Sequence, residues 1–200
     1  MEKTLKRLAT MQRLQTKGLE LFYKNGYGNT SIDDILKTLE LSKGAFYHHF
    51  KSKEDYFVSI VQHLLFKKIY SLLIEPVEGK EDPSNTIVIT LENALDNASY
   101  NEMDYGFVLG NFITEFNGRH KEIMGYLNDI LKVWEVTLIT AIQKGKTDNF
   151  IARRVDSEAV ATYIISSYLG IRTLMVEGNS KTLRYKYISQ LRQYMKTLSP

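Results

Sequence analysis

Two stretches near the amino end carry side chains whose types and spacing have chemical meaning. Thr30-Ser31-Ile32-Asp33-Asp34-Ile35-Leu36 sets a serine three residues ahead of Asp34, and residues 42–55 read Ser-Lys-Gly-Ala-Phe-Tyr-His-His-Phe-Lys-Ser-Lys-Glu-Asp. Ser31 and Ser42 have the character of helix caps, with Asp34 completing the first as a capping box. Two short helices joined by a tight turn result, the arrangement of a DNA-reading helix-turn-helix. In its second helix Lys43, Gly44 and Ala45 suit a major groove, because small side chains let the backbone approach and a methyl can touch a thymine. Phe46 and Phe50, four residues apart, face the opposite way, toward a core.

The other reactive side chains argue against catalysis. His48, His49, His63 and His120 show no metal-type spacing and no HExxH pattern. His48 and His49 are adjacent and so point about 100° apart on a helix. Gly26-Tyr27-Gly28 lacks the preceding strand of a phosphate loop and reads as a turn. With no cysteine in the chain, disulfides, thiolate metal sites and thiol redox sensing are excluded. No catalytic residue, metal ligand or cofactor is expected.

The charge is distributed unevenly. Residues 1–55 hold ten Lys/Arg against seven Asp/Glu, whereas the remaining 145 hold sixteen of each, so the whole excess of +3 lies around the helix-turn-helix. Lys3, Lys6, Arg7, Arg13, Lys17, Lys43, Lys51 and Lys53 are placed to meet phosphates. At 200 residues and 44% hydrophobic, the chain can bury one or two cores. It has no uninterrupted apolar window of 18 residues and no signal-peptide pattern, so a cytoplasmic protein without a membrane partner is expected.

The block from about Thr16 to Phe57, with Gly26-Tyr27, Thr30-Ser31-Ile32, Ile35 and residues 42–55, resembles the TetR family of transcriptional regulators. The resemblance implies DNA contact by Thr30, Ser31, Ser42, Lys43, Gly44, Ala45, Tyr47, His48 and Lys53. It also implies a homodimer on a palindromic double-stranded operator, and an effector of unknown identity. One position departs from the family pattern: Glu40 stands in the turn where glycine is usual. If that position needs a left-handed backbone, Glu costs roughly 1 kcal/mol relative to Gly.

The elements that must position these groups are helices. Prolines occur only at 76, 83 and 200, and the apolar residues recur at helical spacing, which predicts an all-α protein of nine helices. The first runs over 4–24, the second and third follow the caps at Ser31 and Ser42, and the fourth starts at Ser52 with Asp55 as its capping partner. Residues 75–83 form a linker, and five further helices cover 84–98, 106–116, 119–144, 157–177 and 181–198, with a break at 145–156. The division is a DNA-binding domain over 1–51 and a ligand-binding and dimerisation domain over 52–200, the helix from 52 linking them.

In the body, Tyr105-Gly106-Phe107-Val108-Leu109-Gly110-Asn111 with Glu115, Trp134, Gly145, Asp156 and Gly170 is similar to the flavonoid- and acrylate-responsive members of the family. An effector site is expected from Met103, Phe107, Asn111, Phe112, Glu115, Tyr126, Trp134, Tyr163 and Ser167, an aromatic stock with few polar groups. Asn111 and Glu115 lie four apart on one helical face, where they either orient a ligand or bond between helices. The last two helices each carry a broad apolar face. Ile164, Tyr168, Ile171, Met175, Tyr187, Leu191 and Tyr194 are expected to join a twofold-related copy in a four-helix interface, the alternative being that the terminal helix caps its own domain. A homodimeric repressor released by a small, largely apolar effector is the reading; the alternative is a DNA-binding protein controlled by a protein partner.

Overall fold

The computed structural model describes residues 2–97, 104–176 and 180–200, with side chains from residue 4 onward. Nine helices and no strand occur among the described residues. They are α1 (Glu2–Asn25), α2 (Ile32–Leu39), α3 (Lys43–Tyr47), α4 (Lys53–Ile74), α5 (Pro83–Asp96), α6 (Val108–Phe116), α7 (Lys121–Thr147), α8 (Ser157–Leu174) and α9 (Ser180–Thr197). The chain divides into two compact units, Met1–Lys67 with Asn111–Asn128, and Lys68–Gly110 with Asp129–Pro200.

Local chemistry starts most of these helices. The Ser31 hydroxyl accepts from Asp34 N–H while the Asp34 carboxylate accepts from Ser31 N–H, a reciprocal capping box. Ser42 caps α3 through Ala45 N–H, and Ser52 caps α4 through Asp55 N–H. Asp82 caps α5, with Pro83 in the first helical position where its missing N–H is harmless.

In the first unit, α1 packs along α4 and α2. Leu14, Phe22, Ile35, Phe46, Tyr56, Phe57 and Ile60 are fully excluded from solvent there. Gly18 allows the close approach of α1 to α4, since a Cβ at that point would run into the Tyr56 ring and hydroxyl and lie 2.8 Å from Ile60 Cδ1. The Tyr56 hydroxyl donates to the Leu14 carbonyl. By length and composition α4 is apolar enough to cross a membrane, but its Tyr56, Phe57, Ile60, Val61, Leu65, Ile69, Leu73 and Ile74 side chains are buried within the protein. It is a core helix, locally widened into π turns over Val61–Leu65 and Tyr70–Ile74.

In the second unit α9 packs on α5 and α8. Charged pairs rim the α5–α9 contact: Arg192 bonds Glu92, and Arg184 bonds Asp96 and lies 3.7 Å from Glu92. The break expected over 145–156 starts three residues later, at 148, because α7 continues to Thr147; α8 begins at Ser157 as expected. Gly145 serves packing instead: a Cβ there would lie 2.5 Å from Pro83 Cγ and 3.0 Å from Ile151 Cδ1. Just past the end of the helix, Asn149 adopts φ 63° and turns the chain so that the Phe150 and Ile151 N–H groups both return to the Gly145 carbonyl.

Candidate nucleic-acid interface and aromatic core of the body

The helix-turn-helix is built from α2 and α3. Its turn hinges on Glu40, which adopts φ 54° and ψ 40°, the left-handed region that favours glycine. Leu41 N–H reaches back to the Leu36 carbonyl and Glu40 N–H to the Lys37 carbonyl, satisfying the end of α2. Phe46 and Phe50 anchor α3 from below, against each other at 5.4 Å and against Tyr56 at 5.2 and 4.7 Å.

That anchoring leaves the other side of α3 in solvent. Ser42, Lys43, Gly44, Tyr47 and His48 are exposed there, Tyr47 at 59%, and Ala45 is half-buried. Ser31 is exposed at the start of α2, its hydroxyl 2.6 Å from Asp34. Lys43 is paired with Asp33 at 2.9 Å, and this carboxylate raises the lysine pKa. The His49 ring lies 5.3 Å from that of His48, and its pKa is lowered first by burial and then by the neighbouring His48 and Arg7.

Two of the expected DNA contacts are placed elsewhere. Thr30 is buried, 1% exposed, and its hydroxyl lies 2.8 Å from the Gly26 carbonyl and 3.2 Å from that of Leu21. Lys53 turns inward: its ammonium donates to the Tyr27 carbonyl at 2.5 Å and sits 4.1 Å above the Tyr27 ring. Burial lowers the Lys53 pKa, against the opposing pull of Glu115 and Asp34.

The residues expected around an effector divide between the two units. Asn111, Phe112, Glu115 and Tyr126 belong to the first. Phe112 is buried edge-on to Phe57 at 5.0 Å, Asn111 is exposed, and Tyr126 is half-buried. Glu115 is engaged by main chain, its two oxygens accepting from Tyr27 N–H at 3.0 Å and Gly28 N–H at 2.9 Å. Met103 lies outside the described residues.

Phe107, Trp134, Tyr163 and Ser167 belong to the second unit. Phe107 meets Tyr168 edge-on at 5.4 Å, and Tyr168 meets Trp134 edge-on at 5.7 Å, a buried run of three rings. The Trp134 indole N–H is buried with no acceptor among the described residues. Ser167 bonds the Ile164 carbonyl and the Tyr187 hydroxyl, whose pKa burial pushes up to about 12. Arg172 was not singled out by sequence reasoning, yet it is 2% exposed with its guanidinium 5.6 Å from the Phe107 ring centre. The signal was present: an arginine between Ile171 and Met175, inside the apolar stripe of α8.

Of the residues expected between two copies, Ile164, Tyr168, Ile171, Met175 and Leu191 are buried inside the single protomer, and Tyr187 and Tyr194 are half-buried. They face their own unit: Tyr168 packs on Phe107 and Trp134, and α8 also packs against α9, where the Tyr163 and Tyr194 rings meet at 4.5 Å, tilted by 50°. The face of α8 left in solvent carries Tyr163, Ser166, Gly170 and Leu174, Leu174 being 64% exposed.

Residues 16–60 match the model of bacterial regulatory proteins of the tetR family, and residues 86–185 match that of the tetracyclin repressor-like C-terminal domain. The HTH-type transcriptional repressor DhaR of Mycobacterium sp. (strain GP1) is 26% identical over 185 residues, covering 88% of each chain. The regulator QacR of Staphylococcus aureus is 35% identical over 101 residues, 48% of each chain. A TetR-family regulator of Chloroflexus aurantiacus superposes with a TM-score of 0.85 at 23% identity, over 97% of this chain and 98% of that one, which shows the shared fold.

Proposed function

The chain belongs to the TetR family of bacterial regulatory proteins, and from that premise we propose that it acts as a homodimeric repressor released from a palindromic operator by a small effector. As a member of that family it is a DNA-binding transcriptional regulator and not an enzyme. In this reading residues 1–51 form the DNA-binding domain and 52–200 the effector-binding and dimerisation domain of a cytoplasmic protein.

The observation that carries the DNA-binding reading is the exposed side of α3. A helix of five residues is pinned by two buried phenylalanines and presents Lys43, Gly44, Tyr47 and His48 outward. Two such helices related by a twofold axis enter successive major grooves about 34–36 Å apart. Ser31 and Ser42 stand beside them as phosphate contacts. Repression is supported by the name that DhaR carries.

The effector reading is supported by Trp134. A buried indole N–H without an acceptor costs free energy, on the order of 1–3 kcal/mol, that an acceptor atom on a ligand recovers. An effector with an apolar body and one acceptor, entering beside Phe107, Trp134 and Tyr168, fits that chemistry. Selection from random duplexes by the full chain tests operator binding. A panel of aromatic and short-chain carboxylic acids, followed by fluorescence of the single tryptophan, tests the effector. Unchanged fluorescence and unchanged melting across the panel favour control by a protein partner.

A further inference from the structure

We propose that Glu115 and Lys53 clamp the peptide joining Tyr27 to Gly28 from its two sides, and thereby hold the helix-turn-helix in its operator-binding position. Both are positioning residues, not DNA contacts. The inference rests on the operator-reading role given above to α3.

The geometry is specific to one peptide group. Its N–H, that of Gly28, donates to Glu115 Oε1 at 2.9 Å, and its C=O, that of Tyr27, accepts from Lys53 Nζ at 2.5 Å. The second Glu115 oxygen takes the preceding N–H, of Tyr27, at 3.0 Å. Both ends of the peptide dipole are therefore bonded to ions of the matching sign, the stronger class of hydrogen bond. The carboxylate comes from 87 positions away in the chain, on α6, while Lys53 comes from the first turn of α4. Gly26, at φ +85°, admits it: a Cβ there would already lie 3.3 Å from Glu115 Oε1.

The Tyr27 side chain completes the device. Its ring packs on Phe22 at 5.4 Å, Phe57 at 5.1 Å and Phe116 at 4.9 Å, beneath the Lys53 cation. Tyr27 lies between α1 and α2, four residues before the Ser31 cap, so its placement sets where α2 begins and where α3 points. A loose turn would let the recognition helix sample orientations that do not fit the groove.

The test turns on sign. Removing a negative charge from a unit that binds a polyanion raises DNA affinity by Coulomb's law; the clamp predicts the reverse. Full-length protein is titrated on a duplex that the unmodified chain has selected from random DNA, and on an unrelated duplex, from about 50 to 200 mM salt. Glu115→Gln is expected to weaken operator binding roughly tenfold while leaving the unrelated duplex bound as well or better. Lys53→Met is expected to weaken operator binding with the salt slope unchanged, and the double variant to be little worse than either single one.

Operator binding by Glu115→Gln equal to or tighter than the unmodified protein, with helix content retained, would overturn the clamp. So would a salt slope reduced by about 0.9 in Lys53→Met, which marks a phosphate contact. Should Glu115→Gln fail to fold, Lys53→Met decides by its slope alone. Failure of the unmodified chain to enrich any duplex would overturn the operator-reading role and the clamp with it, whereas enrichment with unaffected variants overturns the clamp only.

Discussion

The ammonium of Lys43 lies 2.9 Å from the carboxylate of Asp33, so the cation that opens the recognition helix is paired before DNA arrives. Both side chains are about two-thirds exposed, at 67% and 64%, and the pair adds little to stability. Its consequence is selectivity. A paired lysine is a weaker general attractant for phosphate, and it is released only where a duplex offers it a better partner.

Asp33→Asn should therefore raise affinity for unrelated duplex several-fold and reduce the ratio of operator to non-operator binding. Titrations on both duplexes at fixed salt check this. An unchanged non-operator affinity would show that Asp33 does not restrain Lys43.

Glu40 occupies a left-handed backbone at φ 54°. Glu40→Gly should stabilise the first unit by about 1 kcal/mol, a rise of roughly 2–4 °C in melting temperature for a chain of this size. Thermal unfolding followed by circular dichroism measures it, and a lower melting temperature would refute the strain.

Gly18→Ala should destabilise by about 1–3 kcal/mol, since the added methyl meets the Tyr56 hydroxyl and Ile60 with no room to relax. Tyr56→Phe in the same chain removes the atom struck first. The double variant should then be less unstable than the sum of the two singles.

Leu174→Glu tests the proposed dimer. Leu174 is 64% exposed in the protomer, so a charge there leaves folding intact yet opposes burial between copies. Sedimentation at micromolar concentration should change from dimer to monomer. Ile164→Glu, at a position with 0% exposure, should unfold the chain instead and carries no information on assembly.

The Asp34 carboxyl is held below its ordinary pKa by hydrogen bonds from the Ser31 hydroxyl and N–H. The unfolded chain binds this proton more readily than the folded one. Its stabilising contribution is thus complete above the ordinary carboxyl range and is lost as pH falls through the lowered folded value. Unfolding measured during acidification below about pH 4 should lose this contribution, and Asp34→Asn should remove that part of the pH dependence.

The residues that determined structure locally were readable from the chain alone. Ser31, Ser42, Ser52 and their partners three positions on act within one turn, and the apolar spacing of α4, α7, α8 and α9 marks which face is inward. The departure from glycine at Glu40 is legible in the chain, and the backbone there is left-handed, at φ 54°. Periodicity cannot name the neighbour that covers a face. The stripe of Ile164, Tyr168 and Ile171 has the same pattern whether its own protomer or a second copy buries it, and it is buried within the protomer, Tyr168 against Phe107 and Trp134. Gly145 lies inside α7, where its missing Cβ makes room for Pro83 and Ile151, a packing role that helical spacing does not announce. Glu115 and Lys53 show the limit most plainly. A carboxylate on an apolar helix face and a lysine at a helix start are described equally well as ligand and phosphate contacts until folding brings both, from 88 and 26 positions away, to Tyr27. Short-range hydrogen bonding is written in adjacent residues, but the partner of a long-range charge is chosen by which backbone atoms the packed core delivers to it.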